Sequence, residues 1–137
     1  MNIQTKLIYL LLCFFLIYAF GFQDIPSAKP IKLELLLVKC ILVVILVSFI
    51  GYTVYCSLKE NFVKSIKKTF HLLWGRQFVI DLYIGIFLFS IFVYMIEKSL
   101  LVLILWLVPS ILFGNIIPLV YLITHVDMIC GFFGFLN

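Results

Sequence analysis

The stretch that decides the fold covers residues 78–124 and reads FVIDLYIGIFLFSIFVYMIEKSLLVLILWLVPSILFGNIIPLVYLIT. Its two long apolar runs, 78–96 and 100–124, are separated by Glu97 and Lys98. A helix that crosses a membrane needs about 20 predominantly apolar residues. The stretch therefore predicts two membrane-spanning helices that form a tight antiparallel hairpin, with its turn at the two charged residues.

The rest of the chain has the same apolar character. Of its 137 residues, 66% are hydrophobic and 12% are charged, whereas about a quarter of an ordinary soluble chain is charged. Two further apolar blocks, 7–22 and 35–58, precede the hairpin. We therefore predict an all-α fold, a polytopic membrane helical bundle with four transmembrane helices, formed by residues 1–137 as a single membrane domain.

The first apolar block, 7–22, allows two interpretations. Ala19 and Gly21 place small residues at the two positions that a signal peptidase reads. The Tyr and Phe residues of the block favour a retained span instead, because aromatic rings anchor helices at the membrane interface. We expect a retained span, and the alternative is cleavage, which would leave three spans.

The segment 59–75 between the second and third blocks is amphipathic. Its apolar residues recur at spacings of three and four, and basic residues fall between them: Phe62, Val63, Ile66, Phe70, Leu73 and Trp74 on one side, and Lys59, Lys64, Lys67, Lys68 and His71 on the other. This pattern is typical of a helix that lies on an anionic membrane surface. A cytoplasmic extension of the second span is the alternative.

The basic residues orient the four spans. Six would lie on one side of the membrane and three on the other: Lys6, Lys59, Lys64, Lys67, Lys68 and Arg76 against Lys29, Lys32 and Lys98. Basic residues are more frequent in cytoplasmic loops. The count predicts a multi-pass protein of a bacterial cytoplasmic membrane with both termini in the cytoplasm, and it explains the net charge of +4 without a nucleic-acid partner.

One polar pair stands out inside the predicted hairpin. Asp81 lies 17 residues before Lys98, and Asn115 lies 17 residues after it. Because both helices rise equally per residue, the two side chains are expected at matching depth, with Tyr83 and Arg76 within reach. An ionisable group in a span is by default a candidate functional site. A structural Asp–Asn hydrogen bond that holds the hairpin together is the alternative.

Glycine and proline surround this predicted polar site. Gly85 and Gly114 are expected to let the two helix backbones approach closely. Pro109 and Pro118 each free one backbone carbonyl, which is tolerated inside a membrane where it meets a polar neighbour or a cavity. The group is therefore compatible with a small pocket.

The sequence predicts no metal and no cofactor. The four cysteines show no C-x-x-C spacing, and no pair among the residues predicted on the cytoplasmic side has the spacing of metal ligands. Those residues are His71, His125, Asp127, Cys56 and Cys130. Glu97, at the opposite turn, is expected to be solvated.

The second half of the chain resembles a known family. The residues that carry the resemblance are Trp74, Asp81-Leu82-Tyr83-Ile84-Gly85, Glu97-Lys98-Ser99, Trp106, Gly114-Asn115 and Tyr121. They resemble those of a family of small multispanning membrane proteins of unknown function found in plants and bacteria. More distantly, the chain is similar to small membrane proteins associated with neoxanthin formation. The resemblance implies a four-helix membrane domain and no particular activity.

Two functions are compatible with these observations. The first is an accessory or assembly protein that acts through helix contacts, in a homo-oligomer or with a membrane-protein partner. The alternative is an enzyme or binding protein for a lipophilic small molecule of the isoprenoid or carotenoid type, which would use Asp81. A proton-linked transporter ranks last, because it would need acidic groups nearer the centre of the bilayer.

Overall fold

The computed structural model describes residues 3–21 and 33–133, and these residues form helices without any β-strand. Six α-helices follow one another along this part of the chain. They are α1 (Ile3–Gly21), α2 (Leu33–Lys59), α3 (Phe62–His71), α4 (Leu73–Glu97), α5 (Leu100–Phe113) and α6 (Ile116–Phe132). The all-α prediction is therefore confirmed.

Two helices of the described chain, α2 and α4, are long and apolar enough to cross a membrane. Only 11% of the most apolar 18-residue window of each helix is buried. The core helix of a soluble protein would be mostly buried, whereas a helix that is apolar all round and exposed needs an apolar surrounding. The two helices therefore favour a membrane protein.

The prediction of four transmembrane helices is wrong, and so is the four-helix bundle. Residues 100–124 form no continuous span, because the helix stops after Phe113. Gly114 takes a backbone conformation with φ 58° and ψ −136°, which is accessible essentially to glycine alone. The helix begins again at Ile116, and Pro118 falls in the first turn of α6, where its missing N–H has no helical partner to lose. Both α5 and α6 are shorter than a span.

The turn between α4 and α5 contains only Lys98 and Ser99. Lys98 adopts a left-handed conformation, with φ 51° and ψ 24°, and its N–H donates to the carbonyl oxygen of Tyr94 at 2.9 Å. This C-cap ends α4 and turns the chain back, so α5 packs along α4.

Helix α6 folds back along α5 and lies at the centre of the molecule. It packs against α1, α2, α4 and α5, and its residues Ile117, Val120 and Tyr121 have no exposed surface. Contacts across α6 also define the ends of the fold. Asp127 of α6 meets Lys39 near the start of α2. The end of α6 therefore lies at the same end of the fold as the turn between α4 and α5.

The start of α1 lies at the other end of the fold. Tyr9 of α1 contacts Ser57 near the end of α2, and roughly 27 Å of helix separates Ser57 from Lys39. The prediction that both termini share one side of the membrane assumed four full spans. It loses that basis, because α6 returns to the end at which α5 begins.

Helix α3 is an element of its own and no extension of α2. Asn61 caps its first turn, since the side-chain oxygen accepts the N–H groups of Val63 at 3.1 Å and Lys64 at 3.3 Å. Leu72 separates it from α4, which begins at Leu73, earlier than the apolar block 78–96 indicated. Gly75 of α4 is buried against the last turn of α3.

Candidate functional site

The four residues of the predicted polar site do not form one cluster. Asp81 is exposed on α4 and makes neither a hydrogen bond nor an ion pair with any described residue. Arg76 binds elsewhere, because its Nε donates to the carbonyl oxygen of Phe70 at 2.8 Å. Asn115 and Tyr83, in contrast, border the same cavity.

This cavity has a volume of about 440 Å³ and is partly enclosed. All six helices contribute to its wall, which is mostly apolar. Each helix contributes at least one residue: Leu12 from α1, Phe49 from α2, Ile66 from α3, Leu82 from α4, Ile111 from α5 and Ile116 from α6. Cavities of about 300–1,000 Å³ with apolar walls and a few polar groups are typical of sites for small molecules.

The cavity exists because the hairpin of α5 and α6 is short. The 14 residues of α5 extend about 21 Å, and the hydrocarbon core of a bilayer is about 30 Å thick. The hairpin tip at Gly114 lies near Leu82, whose Cδ1 is 3.8 Å from the position of a Cβ on this glycine. The space between the tip and α3 is left unfilled by the helices.

Two polar side chains at the cavity lack partners. Neither the amide of Asn115 nor the hydroxyl of Tyr83 makes a hydrogen bond in the part of the chain that the structure describes. Asn115 precedes α6 in helical conformation and does not cap it. Both groups are therefore available to a bound molecule. Asn115 also borders a shallow depression beside α2, which is too open to enclose a ligand.

Other polar groups of the cavity wall are already satisfied. The hydroxyl of Tyr9 hydrogen-bonds to Oγ of Ser57 and lies 3.3 Å from the carbonyl oxygen of Thr53. The hydroxyl of Thr53 donates to the carbonyl oxygen of Phe49 at 2.8 Å. These groups join α1 to α2 and leave Asn115 and Tyr83 as the wall's unpaired polar groups among the described residues.

The glycines of the predicted site do not bring α4 and α5 together. A Cβ added to Gly85 would meet nothing within 4 Å, so this residue faces away from the rest of the chain. Gly114 serves the turn between α5 and α6 through its positive φ. The close approach of backbones occurs instead at Gly75, where an added Cβ would lie 2.0 Å from the carbonyl oxygen of Thr69.

A polar cluster that sequence reasoning missed lies at the other end of the fold. The hydroxyl of Tyr121 donates to Oε1 of Glu97 at 3.1 Å, and Nε2 of His125 lies 3.5 Å from the same oxygen. The side chains of Glu97 and His125 are only 15% and 12% exposed. The cluster ties the end of α4 to α6 and so supports the return of α6 along α5.

Aromatic contacts hold this cluster in place. The rings of Tyr121 and His125 stack with centroids 4.2 Å apart, and Trp106 meets both rings edge-on at 5.1 and 5.6 Å. Phe15 of α1 packs edge-on against the same indole. Such edge-to-face pairs add about 0.5–1.5 kcal/mol each beyond the area that they bury.

Burial shifts the ionisation of two members of the cluster, and both lie on α6, outside the two helices long enough to span a membrane. Burial lowers the pKa of His125, although the carbonyl of Tyr121 and the charge of Glu97 oppose this shift. Burial and the neighbouring carboxylate of Glu97 raise the pKa of Tyr121. The neutral forms of both side chains are therefore favoured.

The hydrogen bonds of His125 agree with a neutral ring. Its Nδ1 lies 3.1 Å from the carbonyl oxygen of Tyr121, an atom that can only accept. With the ring proton on Nδ1, Nε2 carries no proton towards Glu97. A second proton on His125 is needed before the two side chains form an ion pair.

A second connection at this end joins α2 to α6. Nζ of Lys39 lies 2.6 Å from Oδ2 of Asp127, and the two side chains are 25% and 38% exposed. The sequence placed Asp127, together with His125, on the cytoplasmic side with His71 and Cys56. The structure places the first two at one end of the fold and the last two at the other.

One local signal hinted at the missed cluster. The 14-residue run between Lys98 and Phe113 is too short to span if Gly114 breaks the helix, and Tyr121 and His125 stand four residues apart on one face of the next apolar segment. The direction of the chain after Gly114 cannot be read from the sequence. Glu97 was therefore predicted as a solvated turn residue.

Comparisons of this chain with models of protein families, with curated proteins and with solved structures found no match. The resemblance drawn from Trp74 to Tyr121 stays a prediction. Function is therefore inferred from the cavity and the contacts described above.

Proposed function

We propose that the protein binds a lipophilic small molecule that carries a hydrogen-bonding group, with its apolar part in the cavity below the tip of the α5–α6 hairpin. The observation that carries this proposal is the apolar cavity of about 440 Å³ at which Asn115 and Tyr83 remain unpaired. A molecule of the isoprenoid type with an alcohol or carbonyl group has matching chemistry.

The unpaired polar groups favour a ligand over an empty cavity. An amide without a partner in an apolar surrounding costs about 1–3 kcal/mol, because it loses the hydrogen bonds that water would provide. A ligand hydroxyl that reaches Asn115 or Tyr83 removes this cost. The proposal thus assigns recognition to these two residues and gives Asp81, which does not line the cavity, no contact with the ligand.

The proposed setting is a bacterial cytoplasmic membrane that α2 and α4 cross. The basic residues around α3 then face the cytoplasm, as does the start of α1, and the end of α6 lies on the opposite side. Leu12 and Ala19 of α1 are buried in the core, which supports retention of this helix over its cleavage.

The test uses the full-length protein in detergent with all-trans-retinol, an isoprenoid alcohol with intrinsic fluorescence. We expect wild type to bind it saturably and Asn115→Leu to weaken binding about fivefold to tenfold, the effect of one hydrogen bond of about 1 kcal/mol. Asp81→Asn should leave the affinity unchanged. An equal loss in both variants would contradict the assignment of the site.

A second pair of variants tests the cavity independently of hydrogen bonding. Ile111 lines the cavity, and Ile104 on the same helix is exposed outside it. Ile111→Trp should abolish retinol binding by filling the cavity, and Ile104→Trp should not. If wild type takes up no more retinol than empty detergent micelles, the proposal fails.

A second candidate function, assembly through helix contacts, is favoured by Gly85. This glycine lies on α4 in an open position, and small residues that face outward from a span let helices of different chains pack closely. We expect Gly85→Leu to reduce oligomerisation of the detergent-purified protein, with Ile84→Leu as the exposed control. A monomeric wild type would rule out self-assembly.

A further inference from the structure

Helix α3 carries a surface that the proposed ligand site does not use. Three lysines, Lys64, Lys67 and Lys68, are exposed, and their ammonium groups make no ion pair or hydrogen bond with residues 3–21 or 33–133. At 3.6 residues per turn, all three fall on the side of α3 opposite to Phe62 and Ile66, which line the cavity. We call these three lysines the α3 basic face.

The apolar side of α3 also extends beyond the cavity. Four of its residues are between 38% and 50% exposed: Phe62, Val63, Ile66 and Phe70. A helix with an exposed apolar side and an exposed basic side is stable where one side meets hydrocarbon and the other meets headgroups and water. The arrangement therefore fits the boundary of a bilayer.

The position of α3 in the fold agrees with such a boundary. It lies between the end of α2 and the start of α4, the two helices long enough to cross a membrane. Arg76 binds the last turn of α3 through the carbonyl of Phe70, and Gly75 lets that turn approach α4 closely. Both contacts hold α3 against the end of α4.

The charge around α3 has one sign. Glu60 is the only acidic residue between Lys59 and Arg76, and its Oε2 already accepts a hydrogen bond from Oγ of Ser65 at 2.7 Å. A cluster of lysines next to a spanning helix attracts anionic lipids, with about a fivefold gain in binding per lysine. The partner that this surface fits is therefore negatively charged.

We propose that the α3 basic face binds the headgroups of anionic phospholipids in the leaflet that α3 borders. A nucleic acid would also be attracted by three lysines. The exposed apolar side of the same helix favours the membrane, because a phosphate backbone offers nothing to pair with Phe62 or Phe70.

The test titrates phosphatidylglycerol or phosphatidylcholine into the detergent-purified full-length protein and counts bound lipids by native mass spectrometry. We expect wild type to prefer phosphatidylglycerol, and Lys64→Gln/Lys67→Gln/Lys68→Gln to lower its affinity about 100-fold, roughly fivefold per residue. Phosphatidylcholine binding should not change. The corresponding triple arginine variant keeps the charge and should keep the preference.

Controls separate lipid binding from folding and from ligand binding. Lys98→Gln, at the opposite end of α4, should retain full phosphatidylglycerol binding, and retinol binding by the triple glutamine variant reports an intact cavity. Equal affinity of wild type for the two lipids, or an unchanged preference in the triple glutamine variant, overturns the proposal. Displacement of phosphatidylglycerol by a short single-stranded RNA would overturn it in favour of a nucleic-acid surface.

Discussion

The substitution Gly75→Ala tests how α3 is attached to the fold. A Cβ at this position would lie 2.0 Å from the carbonyl oxygen of Thr69 and 2.9 Å from its Cγ2, whereas ordinary contact begins at 3.4 Å. The last turn of α3 would have to move by about 1.4 Å, the difference between 2.0 and 3.4 Å. Because the nearest atom belongs to the backbone, no side-chain rotation relieves the clash.

The expected cost follows from this geometry. Overpacking of a tight contact costs about 1–3 kcal/mol, and Ala gains up to about 1 kcal/mol over Gly inside a helix. Gly85→Ala on the same helix is the matched control, since its added Cβ meets nothing within 4 Å. We therefore expect Gly75→Ala to be less stable than Gly85→Ala by roughly 2–4 kcal/mol, or to release α3 from α4.

Two measurements distinguish these outcomes. Thermal unfolding of the detergent-purified variants reports the difference in stability, and hydrogen exchange over α3 reports its release. Displacement of α3 also opens the cavity wall at Ile66 and Thr69, so retinol affinity should fall in Gly75→Ala and stay unchanged in Gly85→Ala. If the two variants show equal stability, exchange and affinity, the close packing of α3 on Gly75 is refuted.

Three further predictions concern the end of the fold at Glu97. Tyr121→Phe removes the hydroxyl that binds Glu97 and should lower the free energy of unfolding by about 1.5–3 kcal/mol, measured by thermal unfolding in detergent. Burial lowers the pKa of His125, so the unfolded chain binds this proton more tightly, and stability should fall as the pH drops below about 6.5. Lys39→Gln should cost at most about 1 kcal/mol, because its pair with Asp127 is partly exposed, and high salt should reduce that difference.

Each of these predictions has a control. Tyr83→Phe removes an unpaired, exposed hydroxyl and should leave stability unchanged in the absence of ligand. His125→Gln should flatten the pH dependence near 6.5, and an unchanged slope would assign it to another group. If Tyr121→Phe is as stable as wild type, the hydroxyl does not stabilise the attachment of α6 to α4.

The helices could be predicted from the sequence because hydropathy and turn signals are local. The apolar blocks 35–58 and 78–96 correspond to α2 and α4, and the charged pair at Glu97 and Lys98 marks the end of α4. Gly114 was predicted as a point of close packing. Its role as a chain reversal could not be read from the same residue, because a Gly-Asn pair within an apolar run is compatible with a kinked span and with a turn.

The predicted polar site illustrates the same limit. Equal distance from Lys98 placed Asp81 and Asn115 at one depth, and Leu82 does lie beside Gly114. Depth along two helices says nothing about rotation around them, however. The structure directs Asn115 to the cavity with Tyr83 and leaves Asp81 exposed.

The sequence by itself determined which segments are helical, which of them are apolar enough for a membrane, and that a basic amphipathic segment lies between the two longest. These properties depend on side chains within one helix length of each other. Only the tertiary structure decided that α6 returns along α5, that Glu97 meets Tyr121 and His125, and that a cavity remains below the hairpin tip. These features depend on residues far apart in the chain, and their contacts arise only when packing sets the direction and rotation of every helix.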